Sequence, residues 1–178
     1  MKPQEWLKNK QQILRTKRLG DLIEQAFQME RQILSQMEES EVYDYMISKL
    51  NFCQRKNAYS YRELLKYRIK VGDICFIDFG QAYQMEIGYL HFGLILAFKH
   101  QKAFVIPMTG KKGDHKEHQF DLGRVPGLYK ESCLFLNDAK WINTSRIIDV
   151  KGHIDVHSHQ FQTILKSVGQ CIGLACHE

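Results

Sequence analysis

The chain has 178 residues, of which 44% are hydrophobic and 25% charged, which suits one globular domain or a small domain with an appendage. These values exclude a disordered, collagen-like or coiled-coil-only chain, and no apolar run approaches the roughly 18 residues that span a bilayer. The net charge of +5 is uneven: residues 1–68 hold 13 Lys/Arg against 9 Asp/Glu, and residues 69–178 hold 12 against 11.

Residues 4–68 contain one glycine, Gly20, and no proline, so the strongest breakers of regular structure are almost absent and helices are expected. The first 18 residues place Lys2, Lys8, Lys10, Arg15, Lys17 and Arg18 against Glu5 alone. Leu19, Leu22/Ile23, Ala26/Phe27, Ile33/Leu34 and Met37 recur at helical spacing, and the stripe lapses at Glu30. A second helix is expected over Glu41–Leu50, with Val42, Tyr45, Met46 and Leu50 on an apolar face. Ser60-Tyr-Arg-Glu63 reads as a capping box opening a short third helix. These helices either pack on the rest of the chain or on a copy of themselves, or form a basic arm for nucleic acid.

After Lys70 the pattern changes to short apolar runs bounded by Gly, Asp and Asn. Strands are expected at Ile74–Phe79, Phe92–Phe98 and Ala103–Met108, the last two joined as a hairpin by Lys99–Lys102. Lys111–His118 is a polar loop. His118–Leu122, Ser132–Leu136 and a short Trp141–Asn143 follow as strands, and His159–Ala175 closes as a helix with Ile164, Leu165, Val168, Ile172 and Ala175 inward. Short antiparallel strands followed by a helix point to a small barrel-like α+β domain over 69–178, preceded by a basic helical extension over 1–68.

The five cysteines are odd in number and scattered, without a CxxC pair, which favours reduced thiols over a disulfide framework or a cysteine zinc site. The N-terminal MKPQEWLKNKQQ lacks the apolar core of a signal peptide, so a cytoplasmic protein is expected. His153, His157, His159 and Asp155 have spacings open to a metal, but they more simply line the start of the last helix. No metal and no cofactor are assigned.

Val71-Gly72-Asp73-Ile74-Cys75-Phe76-Ile77-Asp78-Phe79 resembles the opening strand of the MazF/PemK toxin family, whose usual form is (R/K)GD(I/V), three hydrophobic residues and Asp. The likeness continues in order through Glu86 and Gly88, the strand Gly93–Ala97, and Val105-Ile106-Pro107-Met108-Thr109-Gly110. It then runs through Ser132–Leu136 and the turn Ile142–Ile147 to the terminal helix. It covers about residues 69–178. The resemblance implies an SH3-like antiparallel barrel of the MazF/PemK/CcdB kind with a C-terminal helix. It also implies metal-independent endoribonuclease activity on single-stranded RNA, a homodimer, and silencing by a cognate antitoxin. A strand-end Thr followed by a small residue and Lys is also similar to the ToxN/AbiQ branch.

Such chemistry needs a base for the 2′-hydroxyl, donors for the phosphate oxygens and an acid for the leaving 5′-oxygen. Aligned on Asp78, Glu86 takes the family's Glu position and His91 the position of its functional Arg. Histidine can move a proton near neutral pH but cannot act as a permanently charged guanidinium clamp. The expected catalytic set is therefore His91, Glu86, Thr109 and Lys112, with Lys112 replacing the missing Arg at the phosphate. Lys111, Gly110, His115, Lys116, Lys140 and Trp141 are expected to contact RNA. The alternative is an inactive barrel of this kind that serves as a nucleic-acid-binding or protein-interaction module. A further one is a barrel that poisons a protein target such as gyrase.

Overall fold

The computed structural model describes residues 2–16, 18–65, 68–110 and 117–173. The chain forms two compact units, Met1–Tyr43 and Asp44–Glu178. The composition change at 68/69 thus lies inside the second unit.

The first unit is helical, as its lack of breakers requires. Helix α1 (Pro3–Thr16) departs from helical geometry at Asn9 (φ −123°, ψ 22°). Helix α2 (Leu19–Leu34) carries the apolar stripe and buries none of its residues. No described helix is long and apolar enough to cross a membrane.

Helix α3 (Glu39–Arg55) runs one turn further than Leu50, and its docked face corrects the sequence expectation. Met46 and Leu50 are exposed, and Ser48 is the helix's buried residue. Ser48 Oγ and Asn51 Nδ2 donate to the Asp78 carboxylate at 2.7 and 2.6 Å. Arg55 Nη1 donates to the Ile147 carbonyl at 2.9 Å. The reason is the cost of burying a carboxylate: Asp78 is 2% exposed, and an unpartnered charge there is worth several kcal/mol against folding. Donors at i and i+3 of the helix meet that need better than an apolar stripe would. The capping box is also not made. Ser60 makes no side-chain cap, the segment is a single 3-10 turn (Tyr61–Glu63), and Glu63 accepts from the Tyr59 N–H at 3.0 Å. Burial of the Tyr61 ring holds that turn instead.

Among the described residues seven strands form one antiparallel sheet: β1 (Asp73–Asp78), β2 (Leu90–Lys99), β3 (Lys102–Thr109), β4 (Gln119–Gly123), β5 (Ser132–Phe135), β6 (Lys140–Asn143) and β7 (Ile147–His153). Their order is β4-β5-β3-β2-β1-β7, with β6 also on β3, so the path is open at β4 and β7. β3 has β2 along one edge; its other edge takes β6 opposite Lys102–Val105 and β5 opposite Met108 and Thr109. Strand β7, not foreseen in the sequence, pairs with β1.

Alternation along the strands splits the core into two clusters. One joins Ile74, Leu94, Ile106, Met108 and Leu134 to Phe161, Ile164 and Val168 of helix α4 (His159–Cys171). The other joins Cys75, Ile77, Ile95, Val105, Ile142 and Ile147 to Tyr61 and Ile69. Each fully buried aliphatic side chain contributes about 1.5–3 kcal/mol. Helix α4 opens on Ser158, whose Oγ accepts from the Phe161 N–H at 3.2 Å. It ends at Cys171, with Leu165 and Ile172 exposed rather than inward; Ala175 lies outside the described residues.

The Gly-Asp pair before β1 is structural. Gly72 has φ +88°, and a Cβ there would stand 2.3 Å from the Ile154 carbonyl oxygen. Its own N–H donates to Ile95 O and its carbonyl accepts from Ile154 N. Asp73, buried beside it, holds His153 Nδ1 at 2.8 Å and accepts from Lys70 N. His153 thus has a carboxylate partner, and among the described residues no cluster of three His, Cys, Asp or Glu side chains has metal-holding geometry.

Candidate active site

The β1–β2 loop is closed at its base: Phe79 N donates to Tyr89 O at 2.7 Å and Tyr89 N to Gly80 O at 2.6 Å. This clamp sets the start of β2, where Leu90 faces Asp78 and His91 faces Ile77 across the ladder. His91 Nδ1 lies 2.8 Å from the Gly88 carbonyl oxygen. A carbonyl only accepts, so the tautomer assigned here carries the proton on Nδ1 and leaves Nε2 as a proton acceptor.

His91 lines a cavity of about 540 Å³, within the size range of small-molecule sites. Its walls include Phe76, Phe92 and Met108 from β1, β2 and β3, with the two phenyl rings 5.2 Å apart. Thr109 and Gly110, at the end of β3, line it as well, because β5 pairs with that end and carries Ser132 and the preceding loop alongside. A Cβ on Gly110 would stand 3.3 Å from Lys130 Cδ, so the lysine stem passes directly over the strand end. Lys151 reaches the cavity from β7 and pairs with Asp149. No carboxylate stands among the described residues that line it. A partly apolar cavity with two lysines, a histidine and a threonine can accept an anion with an attached planar or apolar group.

The expected site is thus assembled in part. His91, Thr109 and Gly110 come together. Glu86 does not line the cavity; its carboxylate accepts from Tyr83 N at 3.1 Å within its own loop. Lys140 lies elsewhere, its Nζ 3.5 Å from Ile87 O and over the Phe79 ring. Trp141 is half exposed and tilted against Phe104 at 5.2 Å between ring centroids. Lys111, Lys112, His115 and Lys116 lie outside the described residues. Sequence reading missed Tyr129, Lys130 and Lys151, which carry no motif, and took Ser132 only as the start of a strand; they enter through the β3–β5 and β1–β7 pairings. The buried Cys75 is inert: burial pushes its thiol pKa far up, and Asp73 and Asp149 add to the effect.

No family model and no curated protein matches the chain. Solved structures do. The crystal structure of MazF from Deinococcus radiodurans superposes with a TM-score of 0.51 at 12% identity, covering 61% of this chain and 99% of that one. An endoribonuclease in complex with its cognate antitoxin from Mycobacterial species gives 0.48 at 12% identity, over 61% and 98% of the chains. Mycobacterium tuberculosis toxin MazF-mt6 gives 0.46 at 15% identity, over 58% and 98%. The likeness to the Deinococcus protein is one of fold: this chain has a MazF-like α+β fold with a C-terminal helix.

Proposed function

We propose that the chain is an endoribonuclease toxin of a toxin–antitoxin or phage-defence module, cleaving single-stranded RNA without a metal. The observation that carries this reading is the cavity that gathers His91, Thr109 and Gly110 with Lys130 and Lys151 in a fold like that of MazF. His91 Nε2 takes the proton of the 2′-hydroxyl as its oxygen attacks the adjacent phosphorus. Thr109 and Lys130 steady the charge that grows on the non-bridging oxygens. The bond to the 5′-oxygen breaks, leaving a 2′,3′-cyclic phosphate and a 5′-hydroxyl. The acid for the leaving oxygen is assigned to the segment after Gly110, in which Lys112 and His115 follow by two and five residues. Glu86 is kept as a loop-shaping residue, given its bond to Tyr83 N. The basic residues 1–18 attract the strand, and a homodimer silenced by a cognate antitoxin completes the proposal.

The test is single-stranded RNA incubated with purified protein in EDTA. Cyclic-phosphate and 5′-hydroxyl ends whose formation falls steeply with His91→Ala are the expected result. Cleavage that requires Mg²⁺, or that keeps its rate in His91→Ala, would overturn the mechanism.

A further inference from the structure

A second, smaller cavity stands at the same end of the β1–β2 ladder. Leu90 and His91 line the large cavity, while Asp78, the ladder partner of Leu90, lines the small one. Its volume is about 190 Å³, below the usual range for a whole small-molecule ligand. Arg55 and Lys56 enter it from α3 and the turn that follows, Arg146 and Ser145 from the turn before β7, and Asn51 from one helical turn earlier.

We infer that this cavity is a phosphate subsite. Three cationic side chains line it against one carboxylate, Asp78. That carboxylate is already occupied by Ser48 Oγ, Asn51 Nδ2 and the Gly80 N–H. The guanidinium groups are held by neutral carbonyls: Arg55 Nη1 by Ile147 O at 2.9 Å and Ser145 O at 3.4 Å, Arg146 Nη1 by Asp78 O at 3.0 Å. A guanidinium has five N–H donors, so these anchors tether each group through Nη1 without neutralising it. Tethered groups lose less freedom when a tetrahedral oxyanion arrives, and the fork suits phosphate oxygens. Lys56, exposed at the mouth, adds a mobile charge. The phosphate comes either from a neighbouring nucleotide of a bound strand, which rests on the ribonuclease reading, or from free phosphate.

Two probes with the full chain separate these sources: a short 2′-O-methylated single-stranded oligonucleotide, which lacks the nucleophile and cannot be cut, and inorganic phosphate. Lys56→Gln is expected to weaken oligonucleotide binding about three- to ten-fold at low salt and to lower the salt slope by about 1. Arg146→Lys, used only if its unfolding temperature matches the parent, should also weaken binding but leave the salt slope near the parental value, because it keeps the charge and loses the fork. Phosphate should shift the backbone amide resonances of Lys56 and Ser145, less so in both variants. Weaker phosphate binding with unaltered oligonucleotide binding supports the subsite and assigns it to free phosphate. Parental affinity of Lys56→Gln for both probes, or phosphate shifts confined to the large cavity, overturns it. Wild-type cleavage with no effect of Lys56→Gln on either probe sinks this inference alone. Weakened binding with no cleavage sinks the ribonuclease reading alone.

Discussion

Helix α2 and the β2–β3 hairpin are built from the same apolar residue types and meet opposite fates. Leu19, Ile23, Phe27 and Ile33 of α2 are 72%, 46%, 44% and 56% exposed, whereas Leu94, Ile95, Val105 and Ile106 are all 0% exposed. A helix satisfies its backbone internally, so α2 can form with its stripe uncovered. A strand must pair to exist, and pairing stacks its neighbours' side chains into a core. Apolar periodicity therefore specifies an element in the first unit but adds stability only in the second.

The largest effect should fall on the chemistry of the sheet unit: His91→Ala is expected to slow RNA cleavage by about 10²–10⁴-fold, read from initial rates in EDTA. Next, Ile106→Ala should cost about 2–5 kcal/mol in urea unfolding, while Ile23→Ala should stay within about 0.5 kcal/mol. Equal losses would break the contrast between the two regions. Asn51→Ala should cost about 1–3 kcal/mol, since the buried Asp78 carboxylate loses a donor; a neutral result would mean that α3 is not held through its polar face.

The buried thiol gives a pH effect. Cys75 is raised above its ordinary 9.0 in the folded chain, so above pH 9 the unfolded state releases a proton that the folded state keeps. Its contribution is unchanged below pH 9 and falls above it, by up to about 1.4 kcal/mol per pH unit. Unfolding followed between pH 8 and 10 should show this decline, and Cys75→Ala should flatten it. Cys53 and Cys171, both exposed, should react with a thiol reagent before Cys75 does. The smallest effect concerns the helical unit: deleting residues 1–18 should flatten the salt dependence of oligonucleotide binding, and an unchanged slope would remove the arm from RNA attraction.

Much of the sheet was legible because β1, β2, β3 and β5 are apolar runs with clear stops, and α4 has a spaced apolar stripe. β7 was not, because Ile147-Ile-Asp-Val-Lys-Gly-His takes its strand character from pairing with β1. The polar seam of α3 was hidden for the same reason: nothing local says that Asp78, 30 positions from Ser48 in the chain, will be buried. In the site, His91 and Thr109 were legible from the resemblance to the toxin strands. Lys130 and Lys151 were not, since solvated and cavity-lining lysines look alike in a sequence.

Local sequence was enough for the helical N-terminal third and for the β2–β3 hairpin, because each follows from breakers and periodicity acting over a few residues. Tertiary structure alone decided which charges converge. Ladders bring β7 to β1 and β5 to β3, and those pairings carry Lys151 and Lys130 to the cavity that His91 lines, while the bonds of Arg55 to the Ser145 and Ile147 carbonyls put it in one cavity with Arg146. Such neighbourhoods depend on contacts between distant segments, which no short window of residues contains.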